Sequence, residues 1–179
     1  MSDISKNYGR RYVLRNVDAE FPIGLTLLVG PSGSGKSTLL RLIATAEKPS
    51  TGLIAWNGEP LPAARRKLRE TLGYAPQAVE LPDDLTAREF ADHIAALKGL
   101  DAKSAGRQFA AVADVLGIHS DNDRLIGAFS GGMRRRLIFA QALLGEPGLL
   151  AIDEPTAELD ADSAALVSSL ILEPRGHQS

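Results

Sequence analysis

The sequence has no cysteine, and this absence excludes disulfide bonds and thiolate metal sites. Charge is nearly balanced, because 20 basic and 22 acidic residues give a net charge of −2. A basic field of the kind that holds a nucleic acid backbone is missing, so we expect no nucleic acid partner. No apolar run approaches the ~18 residues that cross a bilayer, and we expect no direct membrane insertion.

What is present is the composition of one ordinary globular domain. The chain has 179 residues, of which 44% are hydrophobic and 23% charged, enough for a core and a small insertion. Residues 12–28 and 51–56 predict short strands, with a hairpin turn at Asn57-Gly58. Residues 72–75 and 148–152 predict two more strands.

The middle of the chain predicts helices. Residues 85–116 are alanine-rich and place apolar residues at helical spacing. Thr86 and Glu89 match a capping box, and Gly99 and Gly117 match helix ends. Further helices are predicted over about 63–71, 132–144 and 161–172. The order of elements therefore predicts an α/β fold with a helical insertion.

A glycine-rich loop between two apolar runs is the strongest signal in the chain. Residues 25–29 predict a buried strand before it, and residues 39–44 predict a helix after it. The loop fits the phosphate-binding pattern G-x-x-x-x-G-K-[ST]. It consists of Gly30, Pro31, Ser32, Gly33, Ser34, Gly35, Lys36, Ser37 and Thr38. An ordinary glycine-rich turn is the alternative, and the flanking strand and helix argue against it.

The chemistry of this loop follows from its residue types. Glycines allow a tight turn that aims N–H groups at phosphate oxygens, and the helix start adds its dipole. Lys36 would neutralise the β- and γ-phosphates, and the Ser37 hydroxyl would bind Mg²⁺. The loop therefore predicts a phosphate site with a bound metal.

Two carboxylates close the apolar strand at residues 148–152. An unpaired carboxylate at such a place is costly unless a cation compensates it. In proteins with a phosphate loop that cation is Mg²⁺, and Asp153 fits the role of its ligand. Glu154 points to the other side of the strand and fits a general base for an attacking water. The alternative is a solvated acidic turn before Pro155.

A second cluster of free N–H groups is predicted at Ser130-Gly131-Gly132, where a helix begins. Since the glycine-rich loop already supplies one phosphate site, an anion here would come from another molecule. A two-fold dimer would provide it if each copy capped the nucleotide of its partner. Ser-Gly-Gly is also a simple N-cap, and this alternative stays open.

In order and spacing, these motifs resemble those of an ATP-binding cassette ATPase, nearest in style to exporter-type subunits. The resemblance rests on the glycine-rich loop, Gln77 after Tyr74-Ala75-Pro76, Phe129 to Met133, Leu150 to Pro155, and Glu158 to Asp160. It implies an ATPase core over about 1–77 and 141–172 and a helical subdomain over about 78–140.

The resemblance also implies roles and partners. Tyr8 would stack on adenine, Gln77 would touch Mg²⁺ or the attacking water, and Asp160 would act across a dimer. The implied cofactors are ATP and Mg²⁺. The implied partners are a second nucleotide-binding subunit and an integral membrane permease, on the cytoplasmic face of the cell membrane.

Two departures from the family pattern affect the expected activity. Glu158 stands where a small residue is usual. The sequence stops before the strand that would carry the family's switch histidine, and His177 has no strand before it. We therefore expect a truncated cassette that binds ATP and turns it over weakly.

Two other functions are compatible with the motifs. The chain could be a nucleotide-binding remnant that docks on a partner without hydrolysis. It could also be a soluble cassette ATPase of translation or DNA repair, with Arg134-Arg135-Arg136 as its basic surface. Three charges on a helix more often form a solvated face, which argues against the second function.

Overall fold

Strands fill the first part of the fold and helices the middle, within residues 1–155 and 161–172, the part of the chain that the computed structural model describes. The strands are β1 (Ser2–Tyr8), β2 (Arg11–Val17), β3 (Thr51–Leu53), β4 (Ala55–Trp56), β5 (Glu59–Pro60), β6 (Leu72–Ala75) and β7 (Leu149–Ile152). The helices are α1 (Lys36–Ile43), α2 (Arg65–Glu70), α3 (Ala87–Leu97), α4 (Ala102–Val115), α5 (Gly131–Leu143) and α6 (Ala161–Leu172). The mixed α/β fold expected from the sequence is confirmed.

The N-terminal strands form an antiparallel sheet that supports α1. Its order is β2-β1-β3. Ile4, Leu14 and Ile54 are buried with Leu42 of α1 in one small cluster, which holds the helix that follows the glycine-rich loop. Strand β1 was missed in the sequence, because Ile4 is the only large apolar residue between Ser2 and Asn7.

The strand predicted at residues 51–56 is divided in two. Its first part, β3, pairs with β1, and its second part, β4, pairs with β5. Trp56 lies opposite Glu59, so the two-residue hairpin turn predicted at Asn57-Gly58 is confirmed. Ile54, between the two parts, is buried.

A short parallel pair carries the acidic strand end. In register, β6 pairs with β7 from Leu72 opposite Leu149 to Ala75 opposite Ile152. Parallel strands end at the same edge of a sheet, so the residues after Ala75 and after Ile152 lie side by side. The Asp153 N–H continues the ladder by donating to the Ala75 carbonyl at 2.9 Å.

The largest core joins the central helices to the parallel pair. Buried Ala91 of α3, Phe109 of α4 and Leu137 of α5 belong to it, and Ile152 of β7 packs against it. The predicted capping box of α3 is confirmed, because Thr86 and Glu89 exchange both hydrogen bonds. The predicted ends of α3 and α4 are also confirmed, at the residues just before Gly99 and Gly117.

The predicted buried strand before the glycine-rich loop is wrong. Residues 25–29 form no strand, and Leu25, Leu27 and Val29 are 60, 74 and 90% exposed. A central strand needs hydrogen-bonded neighbours on its edges. Among the described residues, β6 and β7 pair with each other, and no strand pairs with this segment. Apolar composition alone therefore does not bury it.

Lys98 connects the end of α3 to the end of α5. Its ammonium donates to the Leu144 carbonyl at 2.6 Å. Leu144 caps α5, and a cation at a helix C-terminus is favourable. Burial lowers the pKa of Lys98 to about 8.

Gly73 of β6 gives a test of how closely α5 packs on the parallel pair. A methyl group at Gly73 would overlap the Ala142 carbonyl of α5, whereas one at Gly106 of α4 would meet nothing within 4 Å. We expect Gly73→Ala to destabilise the fold by about 1–3 kcal/mol. Gly106→Ala should stabilise it by up to about 1 kcal/mol. Denaturant unfolding measures both, and equal stability of the two variants would contradict this packing.

The titration of Lys98 gives a second test, with a defined sign. Its folded pKa lies below the ~10.4 of an unfolded lysine, so the unfolded state binds more protons between these two values. The stability of the wild type relative to Lys98→Met should therefore rise with pH from about 8 to 10. Thermal unfolding of both proteins across this range measures the difference. A flat difference would show that the amine is not desolvated.

Candidate functional site

The glycine-rich loop closes on itself and leads directly into α1. Gly33 and Gly35 have φ values of 76° and 97°, in the left-handed region. The Ser34 N–H donates to the Pro31 carbonyl at 3.2 Å. The Lys36 ammonium donates to the carbonyls of Gly30 and Pro31 at 2.7 and 2.9 Å. These bonds hold the lysine across the mouth of the loop, next to the N–H groups of the helix start.

Gly35 is the loop residue that packs against β2 of the antiparallel sheet. A Cβ atom there would lie 2.8 Å from Leu14 Cδ2 and 3.2 Å from the Val13 carbonyl of β2. The position needs both the left-handed backbone and the missing side chain. Packing against β2 therefore fixes where α1 begins.

A chain of polar contacts links Tyr8, at the end of β1, to the loop's last residue. The Tyr8 hydroxyl donates to the Glu47 carboxylate at 2.6 Å. Arg41 of α1 donates to Glu47 at 2.7 Å and to the Thr38 hydroxyl at 3.1 Å. The Lys6 ammonium lies 5.0 Å from the centre of the Tyr8 ring. Tyr8 is thus tied to the phosphate-loop helix.

Electrostatics support this network. Burial raises the pKa of Glu47, but the hydrogen bonds from Tyr8, Lys6 and Arg41 outweigh burial and hold that pKa below its ordinary value. Glu47 is therefore a carboxylate shared among two cations and a phenol. Neither Arg41 nor Glu47 was predicted from the sequence to belong to the site. The available signal for Arg41 was its position one turn after Thr38 on the predicted helix.

Gln77, predicted to touch Mg²⁺ or the attacking water, contacts Glu154, the predicted general base. The Gln77 amide nitrogen donates to the Glu154 carboxylate at 2.7 Å. Both side chains are exposed, whereas Asp153 is buried. Glu154 has φ of 49°, an unusual backbone for a residue with a side chain. The parallel pairing of β6 and β7 accounts for the meeting of residues 77 positions apart.

The predicted magnesium ligands carry suitable donor atoms. The Ser37 hydroxyl, the Asp153 carboxylate and the Gln77 amide oxygen are the hard oxygen ligands that Mg²⁺ prefers. No hydrogen bond in residues 1–155 and 161–172 joins Ser37 to Asp153 directly. The described residues also contain no group of three or more His, Cys, Asp or Glu side chains able to hold a metal. Phosphate oxygens and water would complete the coordination.

Ser130 is the N-cap of α5. Its hydroxyl accepts from the Met133 N–H at 3.2 Å, so the N-cap reading is confirmed. A Cβ atom at Gly131 or Gly132 would meet nothing within 4 Å. Neither residue has a positive φ. Nothing within the described chain therefore requires these two glycines, and exposed Ser130 and Gly131 leave this helix start accessible to a molecule from outside.

The sequence suggested that the three-arginine run is a solvated face, and the structure shows that it is not. Arg135 is 3% exposed, and its guanidinium donates to four backbone carbonyls. Those of Pro76 and Gln77 belong to the segment after β6, and those of Asp153 and Glu154 to the segment after β7. The Arg135 guanidinium also lies 5.0 Å from the centre of the Phe139 ring, one turn further along α5.

The neighbouring arginines serve other contacts. Arg134 pairs with Asp83 at 2.6 Å, and Arg136 donates to the Leu116 carbonyl at 3.3 Å. The three arginine side chains point in different directions, because successive residues on a helix are rotated by about 100°. The role of Arg135 was not predicted from the sequence, because the run shows no alternation of polar and apolar residues.

Three positions named in the sequence analysis lie outside the described residues. They are Glu158, Asp160 and His177.

Among the helices of residues 1–155 and 161–172, none combines the length and apolarity needed to cross a bilayer.

A family model and individual relatives identify the same kind of protein. A family model described as ABC transporter matches residues 14–157. A Nod factor export ATP-binding protein I of Burkholderia orbicola is 33% identical over 166 residues, which cover 92% of this chain and 55% of that protein. The protein of the same name from Sinorhizobium fredii is 35% identical over 168 residues, covering 93% and 49%. The chain thus spans about half the length of the curated relatives it matches.

Solved structures share the fold. An ATP binding subunit of an ABC transporter superposes with a TM-score of 0.77 at 26% identity, over 93% of this chain and 70% of that one. A bacterial ABC transporter cassette, solved as a dimer, superposes with a TM-score of 0.85 at 24% identity, over 94% and 79%.

The contact of Gly35 with β2 generates a test of the loop. Gly35→Ala adds backbone strain and a clash with Leu14, whereas Gly33→Ala adds strain with open space around it. We expect Gly35→Ala to weaken ATP binding by about tenfold or more, and Gly33→Ala to weaken it less. Equilibrium titration with labelled ATP measures both affinities. Equal loss in the two variants would argue that strain, and not the packing on β2, governs the site.

Proposed function

Because the chain belongs to the ABC transporter family of ATP-binding proteins, we propose that it binds and hydrolyses Mg-ATP to drive transport by a separate membrane permease. The observation that carries the proposal is the contact of Gln77 with Glu154 at 2.7 Å, beside buried Asp153. A phosphate loop alone would support binding. An amide paired with a carboxylate after β7, the strand that α1 contacts, supports a hydrolytic reaction.

The loop residues supply binding. We infer that the N–H groups of residues 30–38 surround the β- and γ-phosphates and that Lys36 exchanges its loop carbonyls for phosphate oxygens. Ser37 and Asp153 would hold Mg²⁺, which would neutralise the phosphate charge that builds up during transfer. Tyr8, held by Glu47, would offer its ring face to the adenine base.

The acidic residues after β7 would activate the attacking water. Glu154 would accept the proton of the attacking water as general base. Gln77 donates to the same carboxylate, so it fixes the direction in which Glu154 presents its oxygens. The amide oxygen of Gln77 would face the water or the metal. This division of roles fits a carboxylate that is exposed, next to one that is buried.

A second copy would complete the site. The open N–H groups at Ser130, Gly131 and Gly132 would cap the γ-phosphate on the partner's loop, with Asp160 contributing across the dimer. A cassette of similar fold, solved as a dimer, supports the pairing of two copies. A helical subdomain over about 78–140, on a core of about 1–77 and 141–172, would dock on the permease at the cytoplasmic face of the membrane. The names of the relatives support export as the direction.

The soluble cassette function in translation or DNA repair gains no support. The basic run that would have served it is divided, with Arg135 buried and Arg134 paired with Asp83. Salt-dependent binding to RNA or DNA would be needed to revive it.

Glu154→Gln tests the proposed reaction. The amide cannot take up a proton, so hydrolysis should fall by about 10² or more while ATP affinity stays within about twofold. Light scattering with Mg-ATP should show pairs of this variant. Lys36→Ala is the control and should lose ATP binding itself. Phosphate release and labelled-ATP titration measure the two steps separately.

The outcomes distinguish the candidate functions. Hydrolysis that is unchanged in Glu154→Gln would reject the assigned general base. ATP binding by the wild type without any phosphate release would favour the nucleotide-binding remnant. Failure of the wild type to bind Mg-ATP would overturn the proposed function as a whole.

A further inference from the structure

Helix α5 touches two different parts of the proposed machinery. Its first residue follows Ser130, whose surroundings are open to a second copy. Arg135 lies five positions after Ser130, about 7.5 Å along the helix axis, and is buried. At that depth its guanidinium contacts the chain's own catalytic segments. One rigid helix therefore spans from the dimer-facing N–H groups to the interior of the site.

The contacts of Arg135 are distributed over both segments that carry the reacting side chains. One terminal nitrogen, Nη1, donates to the carbonyls of Pro76 and Gln77, the latter at 3.1 Å. The other, Nη2, donates to the carbonyls of Asp153 and Glu154 at 2.5 and 2.7 Å. A planar guanidinium has its donors in a fixed fork, so it sets the spacing between the two segments.

The backbone held in this way is one that needs support. Glu154 has a left-handed φ of 49°, which a residue with a side chain adopts only when its surroundings impose it. The Arg135 bond to the Glu154 carbonyl lies at that same residue. The 2.7 Å contact of Gln77 with Glu154 joins side chains from the two backbones that Arg135 spaces. Moving either backbone would break that contact.

We propose that Arg135 is a positioning residue that couples the two ends of α5. It holds the Gln77 and Glu154 backbones to the helix whose N-terminus caps a nucleotide on a second copy. A shift of α5 on capping therefore moves or locks the chain's own water-activating pair. This inference rests on the proposed function, and it adds a residue and a route of communication that the proposed roles do not contain.

A purely structural role is the alternative, since a buried arginine also stabilises the fold. Four variants separate the two. Arg135→Gln removes the charge and the fork, and Arg135→Lys keeps the charge without the fork. Arg134→Gln makes the same charge change on the adjacent residue, which pairs with Asp83. Phe109→Leu weakens the main core and serves as a control for lost stability.

Kinetics of the full chain provide the first readout. We expect Arg135→Gln to lower ATP turnover by about tenfold or more, with ATP affinity within about twofold of the wild type. Arg135→Lys should recover part of that loss, and Arg134→Gln should stay near the wild type. Phe109→Leu, compared at equal distance from its melting temperature, should lose less. Turnover of Arg135→Gln equal to that of the wild type or of Phe109→Leu would overturn the inference, as would a loss that follows ATP affinity alone.

Hydrogen exchange provides a second readout that needs no turnover. Mg-ATP should slow the amide exchange of residues 77–80 and 153–154 in the wild type and in Arg134→Gln, and should fail to do so in Arg135→Gln although ATP still binds. If the wild type binds ATP without hydrolysing it, this measurement alone decides. Protection that survives in Arg135→Gln would overturn the inference and leave the proposed function intact. Absence of ATP binding in the wild type would instead reject the proposed function on which the inference rests.

Discussion

The parallel pairing of β6 with β7 is the constraint on which the candidate site depends. It is only four residues long, and it brings Gln77 to Glu154 across 77 positions of sequence. Closing a loop of this length costs conformational entropy. Helix α5 adds hydrogen bonds at this edge, because Arg135 donates to carbonyls just beyond the ends of both strands. Sheet pairing and side-chain bonding thus act on the same edge.

The glycine-rich loop depends on a different part of the fold. Its helix rests on the antiparallel sheet through Leu42, and its last glycine packs on β2. The Glu47 carboxylate then connects that helix to Tyr8. The candidate site therefore combines one element set by the first sheet with another set by the parallel pair. Helix α1, which lies beside β7, is where the two meet.

Local rules in the sequence predicted much of this arrangement. The loop pattern, the Thr86 capping box and the Asn57-Gly58 turn each depend on neighbouring residues, so a window of a few positions contains the information. The failures are long-range. Burial of residues 25–29 depends on strand neighbours that a periodicity does not reveal. The role of Arg135 depends on two segments almost 60 and 18 residues away. Neither the strand neighbours of residues 25–29 nor the partners of Arg135 can be predicted from the local sequence pattern.

The exposed segment before the loop has a consequence for work with the isolated chain. Leu25, Leu27 and Val29 alternate along a segment that pairs with no strand in the described residues. Such a stretch is a template for edge-to-edge association, which needs no ligand and grows with concentration. Oligomers formed in this way would mask specific pairing. Only self-association that requires Mg-ATP, and that is lost when the nucleotide is diluted, would be evidence for the proposed nucleotide site shared by two copies.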